Sequence, residues 1–167
     1  LFEDDLKTAL TIGFFDGVHL GHKEILKKLR EHPHATILTF SNHPQGLLSP
    51  PPPPLLIPLA EKISLLQPYA DEVIVLPFDS AFASISYEEL LSRFDLSRLI
   101  LGKGSAFGKN REGNETNVRK YAEPHGIIVE YVDKALFEGE PISSSRIRKA
   151  ISAGDLNLAQ QLLGRNL

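Results

Sequence analysis

Residues 10–22 read LTIGFFDGVHLGH, and the fold is decided by how this stretch is parsed. The apolar run Leu10 to Phe14 has the length and composition of a buried strand. A turn containing Gly17 follows, and then a helix over Gly21 to Glu31 that carries Ile25, Leu26 and Leu29 at helical spacing. In open parallel sheets, ligands sit at the carboxyl ends of strands, where a helix amino end offers unpaired amides and a positive dipole to an anion. His22 falls in the first turn of this helix and His19 just before it, so both imidazoles can face a pocket at the strand end. Gly17 and Gly21 allow a sharp turn and a close phosphate approach.

Outward from that stretch the alternation continues. Strands are expected at Thr36 to Phe40, Glu72 to Leu76, Leu99 to Leu101 and Ile127 to Val132, with helices at Leu59 to Leu66, Tyr87 to Phe94 and Thr116 to His125. Two more helices, Ser144 to Ala153 and Leu156 to Leu163, close the chain. Strands and helices in turn imply right-handed crossovers, hence a doubly wound α/β fold around a mainly five-stranded parallel sheet with helices on both faces. The run from Ser49 to Pro54 can be neither helix nor inner strand, because proline lacks the amide donor, and it reads as a stiff loop beside the sheet.

Composition narrows the function classes. At 167 residues and 42% hydrophobic content the chain supports one core, so a single domain over residues 1–167 is expected. Cysteine is absent, which removes disulfides, thiolate zinc sites and cysteine nucleophiles and fits a reducing, cytoplasmic setting. A net charge of −3 gives no global pull toward nucleic acid, although basic clusters at Lys23 to Arg30, Lys103 to Arg111 and Arg146 to Lys149 leave room for local anion sites. No apolar run is long enough to cross a bilayer, and three acidic residues within Leu1 to Leu10 stand where a signal peptide would be basic. Methionine is absent even at position 1, as in a processed or excised segment.

Three stretches could carry chemistry. The first is the histidine turn, where phosphate binding competes with a zinc site made of Asp16, His19 and His22 and with a plain helix start; no nucleophile elbow G-x-S-x-G exists. The second is PISSSRIRK, Pro141 to Lys149. Its serines can cap a helix or bind an anion, and Arg146 and Arg148 add charge-assisted bonds; an ordinary cap with a solvated basic face is the competing reading. The third, GKGSAFGKNREGN from Gly102 to Asn114, fails as a Walker A loop and as a dinucleotide fingerprint, which leaves a flexible basic loop near a site.

Taken in order, GFFDGVHLGH resembles the HxGH signature of nucleotidyltransferases, and ISSSRIR resembles their C-terminal ISSTxxR signature. With TFSNHP (Thr39 to Pro44), EKISLL, VIVLPF, FASISYEELL, LILGKGSAFGK and LAQQLLGR, the chain resembles the FMN adenylyltransferase (FAD synthetase) module of bacterial bifunctional riboflavin kinase/FMN adenylyltransferases along nearly its whole length. The resemblance implies transfer of an adenylyl group from ATP to FMN with magnesium. It implies His19, His22 and Arg146 as catalytic residues, and ATP contacts from Gly13, Phe14, Phe15, Asp16, Gly21, His22, Ser143, Ser144, Ser145 and Arg146. Phe40, Asn42, His43, Pro44, Gly102, Phe107, Gly108 and Arg148 would lie toward the flavin, and magnesium would be held through substrate phosphates, with Asp16 able to reach it.

Phe14 replaces a common asparagine, Asn42 a proline and Ser145 a threonine, while Gly104, Ser105 and Ala106 depart from the GxDFRFG pattern. The family's riboflavin kinase domain begins after a segment like Leu162 to Arg165, so only the adenylylating half is expected in these residues. A related transferase using another phosphorylated acceptor, or a binding module without turnover, remains as an alternative.

Overall fold

The computed structural model describes residues 7–167. Glu3, Asp4 and Asp5, whose acidity argued against a signal peptide, lie outside the described residues. The elements run β1 (Thr8–Ile12), α1 (Leu20–Arg30), β2 (Ala35–Phe40), α2 (Gln45–Leu48), α3 (Leu59–Leu66), β3 (Glu72–Leu76), α4 (Ser80–Ala83), α5 (Tyr87–Ser92), β4 (Leu96–Gly102), α6 (Glu115–Ala122), β5 (Ile128–Val132), β6 (Leu136–Phe137), β7 (Glu140–Pro141), α7 (Ser144–Ser152) and α8 (Leu156–Leu163). The five long strands form one parallel sheet in the order β3-β2-β1-β4-β5. The expected doubly wound sheet is therefore present, and its order reverses between β1 and β4, which puts the ligand crevice at their carboxyl ends.

Alternating side chains build the two faces. Ala9, Ile37 and Ile100 pack on one side with Leu26 and Leu29 of α1 and Leu66 of α3. Leu10, Leu38, Leu99 and Leu101 pack on the other with Leu90, Leu91 and Val118 from α5 and α6. Each such leucine or isoleucine contributes about 1.5–3 kcal/mol of burial. A smaller core of Ile142, Ile147, Ala150, Ala159, Leu162 and Leu163 joins α7 to α8.

Several expected boundaries move. The first strand ends at Ile12, so Gly13 and Phe14 belong to the turn; α1 begins one residue early, at Leu20, because His19 caps it. The helix expected over Thr116 to His125 stops at Ala122, and Glu123–His125, with its proline, tightens into a 3₁₀ turn ended by Gly126 in the left-handed region. The proline run is an exposed loop, as its composition requires, and its far end is tied down where Arg148 Nε donates to the Pro54 carbonyl at 2.7 Å. Asn114, part of a formal glycosylation sequon, spends its side chain capping α6.

Candidate active site

Between β1 and α1 the backbone is forced into unusual conformations. Phe15, Gly17 and Val18 all have positive φ, which is costly for the branched Val18. Bonds from distant parts of the chain over-determine the turn. The Asp16 carboxylate accepts from the Leu56 amide at 3.1 and 3.0 Å and pairs with Arg148 of α7. Ser144 Oγ donates to the Asp16 carbonyl at 2.8 Å, and Arg165, just past α8, donates to the Gly17 and Val18 carbonyls. On the other side, the Phe14 carbonyl accepts from Lys62 Nζ at 2.9 Å and from Thr39 Oγ1 at 3.0 Å.

This scaffold presents the two imidazoles. His19 is the N-cap of α1, and a reciprocal capping box links it to His22: the His22 amide donates to His19 Nδ1 at 3.2 Å and the His19 amide to His22 Nδ1 at 3.3 Å. The rings stack at 3.5 Å between centroids. Because each Nδ1 accepts, the ring proton of each neutral imidazole is on Nε2, which leaves two N–H donors for a ligand. Burial pushes His19 down to about 4, with the Arg165 charge adding to it; burial, His19 and Lys62 push His22 well below the ordinary histidine value. Both are therefore neutral donors near neutral pH, not the protonated groups that would be the most effective phosphate ligands. Gly21 keeps the stack possible, since a Cβ there would lie 2.9 Å from His19 Cε1.

His19 and His22 share a cleft of about 360 Å³ with Gly102, Lys103, Ser143 and Ser144. The histidine turn and the serine-bearing tip of α7, 121 residues apart in sequence from His22 to Ser143, thus line one crevice. Ser143 caps α7, accepting from the Arg146 amide at 3.1 Å, while Ser145 is exposed and turned away from the lining. Arg146 is engaged elsewhere. Its Nη1 donates to the carbonyls of Phe137, Glu140 and Pro141 at 3.1, 3.0 and 3.4 Å, so in this structure it braces the β6–β7 hairpin and does not line the cleft. Asp16, with both carboxylate oxygens committed within the protein, organises the loop and is not presented as a metal ligand.

A second, apolar cavity of about 190 Å³ opens on the other side of the turn, lined by Phe14, Phe40, Pro44, Phe78, Phe82 and Phe107. Gly13 and Gly108 also border it; Gly108 has φ +78° and no space for a Cβ, which would fall 2.6 Å from the Tyr87 amide nitrogen. Of the residues expected near a flavin, Phe40, Pro44, Phe107 and Gly108 are here, whereas Gly102 lines the histidine cleft and Arg148 sits on Asp16. Asn42 clips β2 to the loop after β3, exchanging bonds of 3.0 and 2.7 Å with the Phe78 backbone. His43 accepts from the Gln45 amide at 3.0 Å and meets the edge of Phe14, facing the proline loop. A cavity of about 210 Å³ at the opposite end of the sheet, beside His32, His34 and Arg98, holds none of the motif residues.

Lys62 and Arg165 went unnoticed in the sequence. A lone lysine in an amphipathic helix and an arginine after a helix look like solvated charges, and only the carbonyls that surround them reveal otherwise.

A parallel sheet of this order, with a histidine-capped helix and a serine-capped helix meeting at its switch point, makes a doubly wound α/β domain with one crevice between the two caps. The chain belongs to the FAD synthetase family, whose sequence pattern matches residues 1–146. It is 35% identical to the bifunctional riboflavin kinase/FMN adenylyltransferase of Haemophilus influenzae over 94% of this chain and 55% of that protein. It is 33% identical to an FAD synthetase of Listeria monocytogenes over 97% of this chain and 70% of that protein. A crystal structure described as a macrolide-efflux protein from Streptococcus pneumoniae superposes with a TM-score of 0.83 at 28% identity, covering 95% of this chain and 57% of the other. The chain spans about half the length of the bifunctional relatives it matches. Among the described residues no helix is long and apolar enough to cross a membrane.

Proposed function

We propose that these residues transfer the adenylyl group of ATP to FMN, giving FAD and pyrophosphate. The observation that carries the reading is the juxtaposition of a cleft bordered by the polar groups of His19, His22, Ser143 and Ser144 with an aromatic cavity across the same turn. A triphosphate suits the first and an isoalloxazine ring the second. An FMN phosphate oxygen attacks the α-phosphorus of ATP in line. A phosphorus–oxygen bond forms, the bond from the α-phosphorus to the α,β-bridging oxygen breaks, and pyrophosphate leaves with that electron pair. The nucleophile is already anionic, so no general base is needed, and positioning and charge stabilisation do the work.

In this reading the Nε2–H groups of His19 and His22 donate to the α-phosphate and bridging oxygens. The Ser143 and Ser144 region and the amino end of α7, with Lys103 opposite, receive the β and γ phosphates. ATP enters as its magnesium complex. The described residues contain no cluster of three or more metal-ligating side chains, which suits an ion carried on substrate phosphates rather than held in a protein cage. Asp133 is the carboxylate bordering the cleft. Arg146 contributes through the hairpin it braces, and we assign this segment to adenylyl transfer alone, leaving riboflavin phosphorylation to the remaining length of a bifunctional relative. The absence of cysteine is consistent with a cytoplasmic setting.

The test is direct: the chain is mixed with ATP, magnesium and FMN, and FAD and pyrophosphate are measured. Both should accumulate in equal amounts, and His22→Ala should lower turnover by about 2–4 kcal/mol of barrier, as expected when a transition-state donor is lost. Flavin and nucleotide binding without FAD, or full turnover in a folded His22→Ala variant, would contradict the assignment.

A further inference from the structure

Lys62 is a buried charge for which the transfer chemistry has no evident use. It lies on α3 at 3% exposure, with Nζ donating to the Phe14 carbonyl at 2.9 Å and the Phe40 carbonyl at 2.7 Å and standing 3.8 Å from the centroid of the Phe14 ring. Phe40 ends β2 and Phe14 lies in the turn that follows β1, and both side chains line the aromatic cavity. His22, which faces the polar cleft, feels the ammonium charge from the other side. One cation therefore sits behind the turn that separates the two cavities.

Burying an ammonium is costly, and an apolar side chain would fill the same space without that cost. The reaction, however, requires two phosphates to meet where these cavities adjoin, and their mutual repulsion is strong in a desolvated site. We propose that Lys62 is a positioning residue that ties the Phe14 turn to the end of β2 at Phe40 and supplies the buried positive charge that draws the phosphate end of FMN toward the histidine cleft. This rests on the FMN adenylylation reading and adds to it the source of the preference for a phosphorylated flavin.

Charged and titratable groups face Lys62 from every side. Asp16 comes from the histidine turn, with Arg148 of α7 paired to it; His22 comes from α1, and His43 from the segment after β2. Burial lowers the Lys62 ammonium to about 8, with Asp16 opposing the shift. Both imidazoles are pushed below the ordinary histidine value by burial and stay neutral in that range. Lys23 of α1 is also lowered, by burial and by the charges of Arg165 and Lys27, so a Lys62 variant is needed to separate the two lysines.

The experiment titrates the whole chain with FMN and, separately, with riboflavin, which has the same ring and no phosphate. Flavin fluorescence is followed between about pH 7 and pH 9.5, where the FMN phosphate, with its second pKa of about 6, stays dianionic. Protonated Lys62 favours the anion. The FMN Kd should therefore be level up to about pH 8 and then weaken by up to about tenfold per pH unit, while the riboflavin Kd stays level. In Lys62→Met the FMN curve should be flat and its advantage over riboflavin largely lost. A level FMN Kd in the unmodified chain, a riboflavin curve with the same slope, or a Lys62→Met variant that keeps the slope would overturn the proposal. If Lys62→Met does not fold, Lys23→Met decides: the FMN slope should persist in it, and its loss would assign the titration to Lys23 and overturn the proposal. FAD production with pH-independent FMN binding would sink only the Lys62 proposal, whereas no flavin binding, or no FAD, would sink the parent reading.

Discussion

His19 does three things at once: it caps α1, stacks on His22 and offers Nε2–H to the cleft. The cap needs the neutral ring, since a proton on Nδ1 would remove the acceptor that holds the His22 amide, whereas the Nε2–H donor is present in either state. The sign of the pH effect follows. With its folded pKa lowered to about 4 from 6.5, His19 contributes stability that is fully present above about pH 6.5 and is lost as the pH falls toward 4. The gap corresponds to about 3 kcal/mol, and the ring is only 5% exposed, so solvent screening does not erase it. Urea unfolding of the unmodified chain should give a midpoint that drops across this window. His19→Asn, which keeps a capping side chain without a titrating ring, should show a shallower drop, and an unchanged slope would show that His19 is not the group responsible.

At the scale of elements, legibility followed how locally each feature is determined. The helices Leu59–Leu66 and Leu156–Leu163 stand where periodicity puts them, because an apolar stripe and a following breaker lie in the same short window. The ends of β1 and β4 shifted by one to three residues, since backbone partners supplied by other segments, such as the Leu38 carbonyl that receives the Gly13 amide, set them, whereas α1 shifted by one because His19 caps it. The β6–β7 hairpin is two residues a side and has no periodicity to read. Yet that hairpin takes up Arg146, a residue the motif pattern assigns to phosphate. The meeting of the histidine turn with the α7 tip was readable from paired motifs and their order. That Arg146 turns to the hairpin and away from the cleft was not, because guanidinium direction depends on which carbonyls happen to be near.

Across the whole molecule, the C-terminal helices act as a clamp on the front turn. Ser144, Arg148 and Arg165 reach back 128, 132 and 148 residues to Asp16 and Gly17. The Asp16–Arg148 pair is nearly dry, with side chains 3% and 14% exposed, so removing one partner leaves the other stranded. Arg148→Met should cost about 3 kcal/mol or more, while the double variant with Asp16→Asn should cost clearly less than the sum of the two single changes, with a coupling of about 1–3 kcal/mol. Additive losses in chemical unfolding would mean that the pair does not tie α7 to the turn.

The proposed transfer depends on one triphosphate being gripped between the histidine turn and the serine tip of α7. A crystal structure with a non-hydrolysable ATP analogue and magnesium tests it most directly. Phosphate oxygens should lie within hydrogen-bond distance of Nε2 of His19 and His22 and of the Ser143–Ser144 backbone or hydroxyls. A triphosphate bound in the aromatic cavity, or at the opposite end of the sheet beside Arg98, would contradict it.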